Sequence, residues 1–297
     1  MQQLALGIDI GGTNMRLGIV SLEGELVYFA REPINRSFSG DDIVEFLAAK
    51  ALASNMMQRV GGGGIAVAAT ISKDGVPIPE FTNFSGLGRY PIGPKLSEAL
   101  GIPFMVGNDA NLALHGEAHF GAARGCTDAL LLTLGTGIGS SLLLGAKVRQ
   151  GAHQRNSEIG ETLVYDVQQD RYVAIEKLVS GNALTQRLGS GDGLLFERAK
   201  FGDQRAIALV EEMYESLGRL ITNVHFLLDL EKVIISGGLA DVGDELIIGL
   251  QAAVDKICPP ALKASLRIEA GGLKPDTAGV IGAACLWYEH QGFLPKY

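Results

Sequence analysis

A chain of 297 residues, 47% of them apolar, can build one large domain or two ordinary ones around a sizeable core. Its net charge of −8 excludes nucleic acid as the main partner, because a phosphate backbone selects basic surfaces. No apolar run reaches membrane-spanning length, and Cys126, Cys258 and Cys285 are too few and too scattered for a disulfide framework or a cysteine zinc site. The N-terminus enters an apolar run with no basic region or cleavable leader, so the expected location is the cytoplasm, with no membrane partner.

Leu4–Ile8, Met15–Val20 and Leu26–Arg31 read as three strands joined by tight turns. Ser39 is a candidate N-cap with Asp41 and Asp42 in the first turn, and the helix it starts is predicted to reach about Val60. Gly61–Gly64 is expected to stop that helix as a connector, and Ile65–Ala69 to form a short buried strand. Pro77–Pro94 reads as a long loop, Leu96–Leu100 as helix, Phe104–Val106 as strand and Ala110–Phe120 as helix. Ala129–Leu134 and Ser140–Leu144 are apolar runs on either side of a glycine turn, and 145–171 looks irregular. Ile175–Leu188 looks helical with a break at Ser180-Gly181. Ala206, Leu209, Met213, Leu217, Leu220, Val224 and Leu227 recur at helical spacing and predict one buried stripe. Lys232–Ser236 is a buried strand ended by Gly237-Gly238, and a helix from about Thr277 to His290 closes the chain. Strands and helices alternate, and each half opens with strand, glycine turn, strand: an α/β class with two similar halves.

Those two turns carry the chemistry. The first is Asp9-Ile10-Gly11-Gly12-Thr13-Asn14, followed by Arg16; the second is Gly135-Thr136-Gly137-Ile138-Gly139. Glycine lets backbone N–H groups approach an anion, so two such turns can hold a polyphosphate. Thr13 and Asn14 can donate to phosphate oxygens, and Asp9 suits Mg²⁺ held through water. The plain alternative is a pair of hairpins whose glycines only supply positive φ. Asn108-Asp109 follows a strand and precedes a helix, where α/β sites gather. Asp109 there is either a helix N-cap or the base that accepts a hydroxyl proton during phosphoryl transfer.

In this order the motifs resemble those of the ROK family of sugar kinases, within the actin/hexokinase superfamily, over nearly the whole chain. Asp9 to Arg16 is similar to its first phosphate motif and Leu134 to Gly139 to its second, while Thr82-Asn83 resembles its P-N sugar segment and Asn108-Asp109 its N-D pair. Glu158-Ile159-Gly160 resembles the start of its E-x-G-H signature, and Glu176 to Gly181 its E-x-x-x-S-G. Ser236-Gly237-Gly238 is similar to its adenosine-side glycine pair, and Ala278 to Ala284 to its closing A-G-x-x-G-A-A.

The resemblance implies a two-lobed actin-like, ribonuclease H-like ATPase fold with a cleft between the lobes. A small sugar/phosphate lobe of residues 1–120 with a returning helix, 283–297, would face a large nucleotide lobe of residues 121–282. It implies ATP and Mg²⁺, a hexose phosphorylated at the 6-hydroxyl with Asp109 as base, and a homodimer. Asn83, Asn108, Asp109, Glu158 and Glu176 would contact the sugar; Asp9, Gly11, Gly12, Thr13, Asn14, Arg16, Gly135, Thr136, Gly137, Gly139, Gly237 and Gly238 would hold the nucleotide and its metal.

Three departures stand out. Glu161 occupies the place of the signature His, which should face the sugar. No cysteine lies between Glu161 and Glu176, so no zinc is expected. Ala68-Ala69-Thr70 replaces the usual P-G. Glu158, Glu161, Glu176 and Asp109 would then crowd four carboxylates, whose repulsion should raise a pKa or call for a cationic or hydroxyl-rich ligand. The same family contains sugar-sensing transcriptional regulators, and a non-catalytic sugar-binding protein is a further alternative. Only eight residues precede Asp9, fewer than a helix-turn-helix needs, which favours the kinase.

Overall fold

The computed structural model describes residues 4–82, 85–155, 157–166, 169–189 and 194–297. They form two compact units, Met1–Arg124 with Lys147–Asn156 and Gly272–Tyr297, and Gly125–Ala146 with Ser157–Gly271. The chain begins with β1 (Leu4–Ile10), β2 (Asn14–Val20), β3 (Leu26–Pro33), α1 (Gly40–Ala53), β4 (Val60–Val67), β5 (Ala69–Ile71), β6 (Pro77–Thr82), α2 (Ile92–Leu100), β7 (Phe104–Asn108) and α3 (Asp109–Phe120). Then come β8 (Ala129–Leu134), β9 (Ile138–Leu144), β10 (Lys147–Val148), β11 (Leu163–Asp166), β12 (Arg171–Ala174), α4 (Glu176–Val179), α5 (Gly181–Leu188), α6 (Leu195–Lys200) and α7 (Gln204–Leu228). β13 (Lys232–Ser236), α8 (Asp244–Ile257), α9 (Pro260–Lys263), β14 (Arg267–Ala270) and α10 (Pro275–Gln291) complete it.

The first sheet runs β3-β2-β1-β4-β7. β1 pairs antiparallel with β2 across the first glycine turn and parallel with β4, which pairs parallel with β7. The sequence of β1 alternates large and small, and the two sets face opposite ways, as strand geometry requires. Leu4, Leu6, Ile8 and Ile10 join Ile43 and Leu47 of α1 in one core. Ala5 joins a second core with Val280, Ala284 and Trp287 of α10. A Cβ on Gly7 would stand 2.0 Å from the Val280 carbonyl oxygen, so only glycine lets α10 lie this close.

The same helix explains the main correction to the sequence reading. Gly61–Gly64 is not a connector that ends α1; it lies inside β4, and α1 stops at Ala53. A Cβ on Gly64 would meet the Ala283 carbonyl oxygen of α10 at 2.0 Å, so this face of the strand is stripped of side chains to seat the helix. The predicted loop 77–94 holds β6 and the start of α2, and 145–171 holds β10 and β11. The chain between the second glycine pair and the last helix, unread in sequence, forms α8, α9 and β14.

In the second unit the order β9-β8-β13-β14 repeats the plan: β8 pairs antiparallel with β9 across the second glycine turn and parallel with β13, which pairs parallel with β14. Helix α7 buries Ala206, Leu209, Met213, Leu217 and Leu220 against Leu130, Leu132, Val233 and Ile235. Its last expected contact fails, since Leu227 is 82% exposed and Leu228 packs on the core instead. At 3.6 residues per turn the stripe passes from Val224 to Leu228, one position beyond the expected residue. Among the described residues no helix is long and apolar enough to cross a membrane.

Candidate active site

Register brings the first group of candidates to one sheet edge. Ile10 pairs with Val67 and Val67 with Asn108, in three parallel strands. Gly11, Ala68 and Asp109, the residues that follow, therefore share the C-terminal edge of the sheet, where α/β proteins place their ligands. Strands β1 and β7 are two steps apart, about 10 Å at usual sheet spacing.

The first glycine turn is fixed from three sides. Gly11 N–H donates to the Asn14 carbonyl (3.0 Å), Ala68 N–H to the Ile10 carbonyl (3.1 Å) and Ile34 N–H to the Thr13 carbonyl (2.8 Å). The amides of Gly12 and Thr13, at the tip, have no acceptor among the described residues. Neither Gly11 nor Gly12 has positive φ, so the turn does not need glycine for its backbone conformation. At Gly12 a Cβ would meet nothing within 4 Å, which leaves open space beside the bare amides. Arg36, which the sequence reading missed, donates through Nη2 to the Gly12 carbonyl at 3.2 Å.

Asp9 is buried at the end of β1, and Arg16 Nη1 donates to its Oδ2 at 3.0 Å. Burial raises the Asp9 pKa, and the Arg16 charge opposes that rise only in part. Arg16 is occupied on its other side by Asp276 of α10, through Nε (3.0 Å) and Nη2 (2.7 Å). Arg16 thus holds two carboxylates in place. Thr13 and Asn14 sit on the turn and at the start of β2, with Thr13 exposed.

The Asn108-Asp109 pair divides its work. Asn108 is the N-cap of α3, its Oδ1 accepting from Asn111 N–H at 3.1 Å, so capping does not fall to Asp109. Asn108 Nδ2 donates to the Ala69 carbonyl (3.2 Å) and to Asp109 Oδ1 (3.0 Å). The Ala110 amide donates to that same Oδ1 at 2.9 Å. One carboxylate oxygen is thereby locked and the plane of the acid is set. Asn83 lies outside the described residues.

The second unit gathers the other candidates. In the second turn Gly135 N–H donates to the Gly137 carbonyl at 3.0 Å. The start of α5 donates into the turn, Gly181 N–H to the Gly135 carbonyl at 2.8 Å and Asn182 N–H to that of Thr136 at 3.3 Å. The amides of Thr136 and Gly137 have no acceptor among the described residues, as at the first turn. Gly139 is the second residue of β9, opposite Thr133. Gly237, at φ 88°, lies against Leu134, where a Cβ would meet the carbonyl oxygen at 2.5 Å; Gly238 follows beside Gly135.

Glu176 caps this turn from outside, its Oε2 accepting Ile138 N–H at 2.7 Å. A Cβ on Gly137 would stand 2.6 Å from that oxygen, and one on Gly160 3.3 Å. The Glu158–Glu161 segment is therefore packed against Glu176, with Glu161 N–H donating to the Glu158 carbonyl at 3.1 Å. Withdrawal of the Glu158 carboxyl from solvent raises its pKa, and the charges of Glu161 and Glu176 raise it further. Between Glu161 and Glu176 the chain forms the short antiparallel strand pair β11–β12.

The sequence profile of the ROK family matches residues 5–290. A glucokinase of Halalkalibacterium halodurans is 26% identical over 321 aligned residues, covering 98% of this chain and 97% of that protein. The crystal structure of a ROK family glucokinase from Streptomyces griseus in complex with glucose and AMPPNP has a TM-score of 0.81 at 26% identity, covering 95% of this chain and 98% of that one. A ROK family transcriptional regulator, a homolog of the E. coli MLC protein, has the same TM-score at 19% identity, covering 96% of this chain and 79% of that one, a likeness of fold alone. The fold is accordingly the α/β, actin-like class expected from the motifs. With the profile spanning both units, the chain belongs to the ROK family.

Proposed function

We propose that this chain is an ATP-dependent sugar kinase that phosphorylates a hexose at its 6-hydroxyl, with Asp109 as general base. The observation that carries the reading is the strand-end row, which sets Asp109 and the bare amides of the first turn on one edge of one sheet. Such a transfer needs alignment, charge stabilisation and a proton acceptor more than covalent chemistry. The amides of Gly12 and Thr13 would bind phosphate oxygens, and those of Thr136 and Gly137, with Gly237 and Gly238, the rest of the nucleotide. Asn108 would act chiefly by orienting Asp109. Glu158, Glu161 and Glu176 would accept hydrogen bonds from sugar hydroxyls, two to each carboxylate. In this reading the first unit, α10 included, serves phosphate transfer, and the second unit serves the nucleotide and, through Glu158, Glu161 and Glu176, the sugar.

The residues at the first turn also fit Mg²⁺. Asp9 stands on the strand that leads into the bare amides, and only its Oδ2 is taken by Arg16, so its second oxygen is the one that would face a hydrated ion. Asp9 would hold the ion through water, and the ion would neutralise charge on the phosphate oxygens.

The test is ADP release by purified protein across a panel of hexoses, with Asp109→Asn beside the wild type. Sugar-dependent turnover that falls about 10²- to 10⁴-fold in the variant is the expected result. Undiminished turnover in Asp109→Asn would remove it as base. Sugar binding with no turnover in the wild type would favour the non-catalytic reading.

A further inference from the structure

Arg36 is exposed beside the first glycine turn. The two other arginines near the first turn are neutralised: Arg16 by Asp9 and Asp276, and Arg31 by Asp276. Arg36 makes no ion pair with a carboxylate among the described residues; its guanidinium rests on a neutral carbonyl, that of Gly12. A guanidinium has five donors, and a carbonyl answers one of them weakly compared with an anion.

The segment that carries it is well tied. Ile34 N–H donates to the Thr13 carbonyl, so the chain beyond β3 runs alongside the turn. Asn35 Oδ1 accepts from Ser37 N–H (3.1 Å) and Ser37 Oγ (2.8 Å), and Phe38 packs on the core. An unneutralised cation is therefore held over the tip that presents two bare amides and an open space at Gly12.

We propose that Arg36 is a further catalytic residue, binding the terminal phosphate of ATP while that group is transferred. The inference rests on the kinase reading above. The terminal phosphate is the one concerned because this turn shares its sheet edge with Asp109, and the base must reach the hydroxyl that attacks that phosphorus. In the step, the hydroxyl proton passes to Asp109 and the sugar oxygen bonds to phosphorus. The bond from phosphorus to the bridging oxygen breaks, and its electron pair leaves with ADP. Arg36 would follow the charge spread over the phosphoryl oxygens, as an arginine supplied in cis does in other phosphotransferases.

Two measurements on Arg36→Ala and Arg36→Lys test this, with thermal denaturation as the folding control. Arg36→Ala should lower kcat at least about 100-fold with the sugar KM little changed, and Arg36→Lys should recover part of the loss. Titration with AMPPNP and with ADP should show affinity for the first falling about 10-fold in Arg36→Ala and affinity for the second unchanged. An unchanged kcat, or equal weakening of both nucleotides, overturns the proposal. If no hexose elicits ADP release from the wild type, the kinase reading fails by itself. The AMPPNP and ADP comparison then still decides whether Arg36 reads the terminal phosphate, and wild type that binds neither decides against it.

Discussion

Single residues decide the chemistry that this site can perform. Asn108 and Asp109 are adjacent polar residues at a helix start, and the sequence alone leaves the cap and the base undistinguished. The structure assigns the cap to Asn108, because its side chain reaches Asn111 N–H while Asp109 sits one position into the helix. Glu158 carries a testable electrostatic consequence. Its folded-state pKa lies above its ordinary value of 4.5, so the folded protein holds that proton more firmly than the unfolded chain. The associated stability is whole below pH 4.5 and is lost as pH rises through the raised value. Melting curves of Glu158→Gln and wild type should coincide most closely in acid and separate towards neutral pH, with the variant melting higher. A separation that is independent of pH, or reversed, would count against the carboxylate crowding. Arg36 was legible only through register: residues just past β3 must flank the turn that β2 leaves, but nothing in residue type marks the one that reaches it.

Elements were legible where periodicity is strong and local. Ser39 caps α1, as the side-chain types suggested, and the structure adds a reciprocal capping box closed by Asp42. The glycines of β4 misled because glycine usually punctuates, whereas here its absent side chain is what seats a helix. The closing A-G-x-x-G-A-A follows the same physics from the other partner. Gly282 of α10 lies so close to α3 that a Cβ would stand 1.6 Å from the Leu112 carbonyl oxygen, and a Cβ on Gly279 would stand 3.0 Å from Asp9 Cγ. That motif is a packing surface that also shapes the floor under Asp9. Gly282→Ala should therefore destabilise the fold by about 3 kcal/mol, through forced backbone movement. Urea denaturation measures it, and a loss below about 0.5 kcal/mol would show that α10 and α3 can separate freely.

At the scale of the whole molecule, the two units repeat one sheet plan, and the chain first leaves the first unit after Arg124, returns to it over Lys147–Asn156 and comes back finally at Gly272. Glu117, fully buried on α3, ties the first exit to the final return: its Oε2 accepts from Ala122 N–H (2.6 Å) and Gly272 N–H (2.9 Å), and its Oε1 from Leu273 N–H (3.0 Å). An amide in its place turns an acceptor into a donor facing N–H groups. Glu117→Gln should lower the unfolding free energy by about 1–3 kcal/mol, read from denaturant midpoints. A variant as stable as wild type would mean that water replaces the carboxylate. The sequence by itself determined the class of fold, the two glycine turns and the order of the motifs. These are local: strand alternation, helical period and turn chemistry act over a few neighbours. Only the tertiary structure decided that Ile10, Val67 and Asn108 share a row, that a glycine run is a strand, and that Arg36 stands over Gly12. Those facts depend on pairing between segments far apart in the chain, whose register no short window of residues contains.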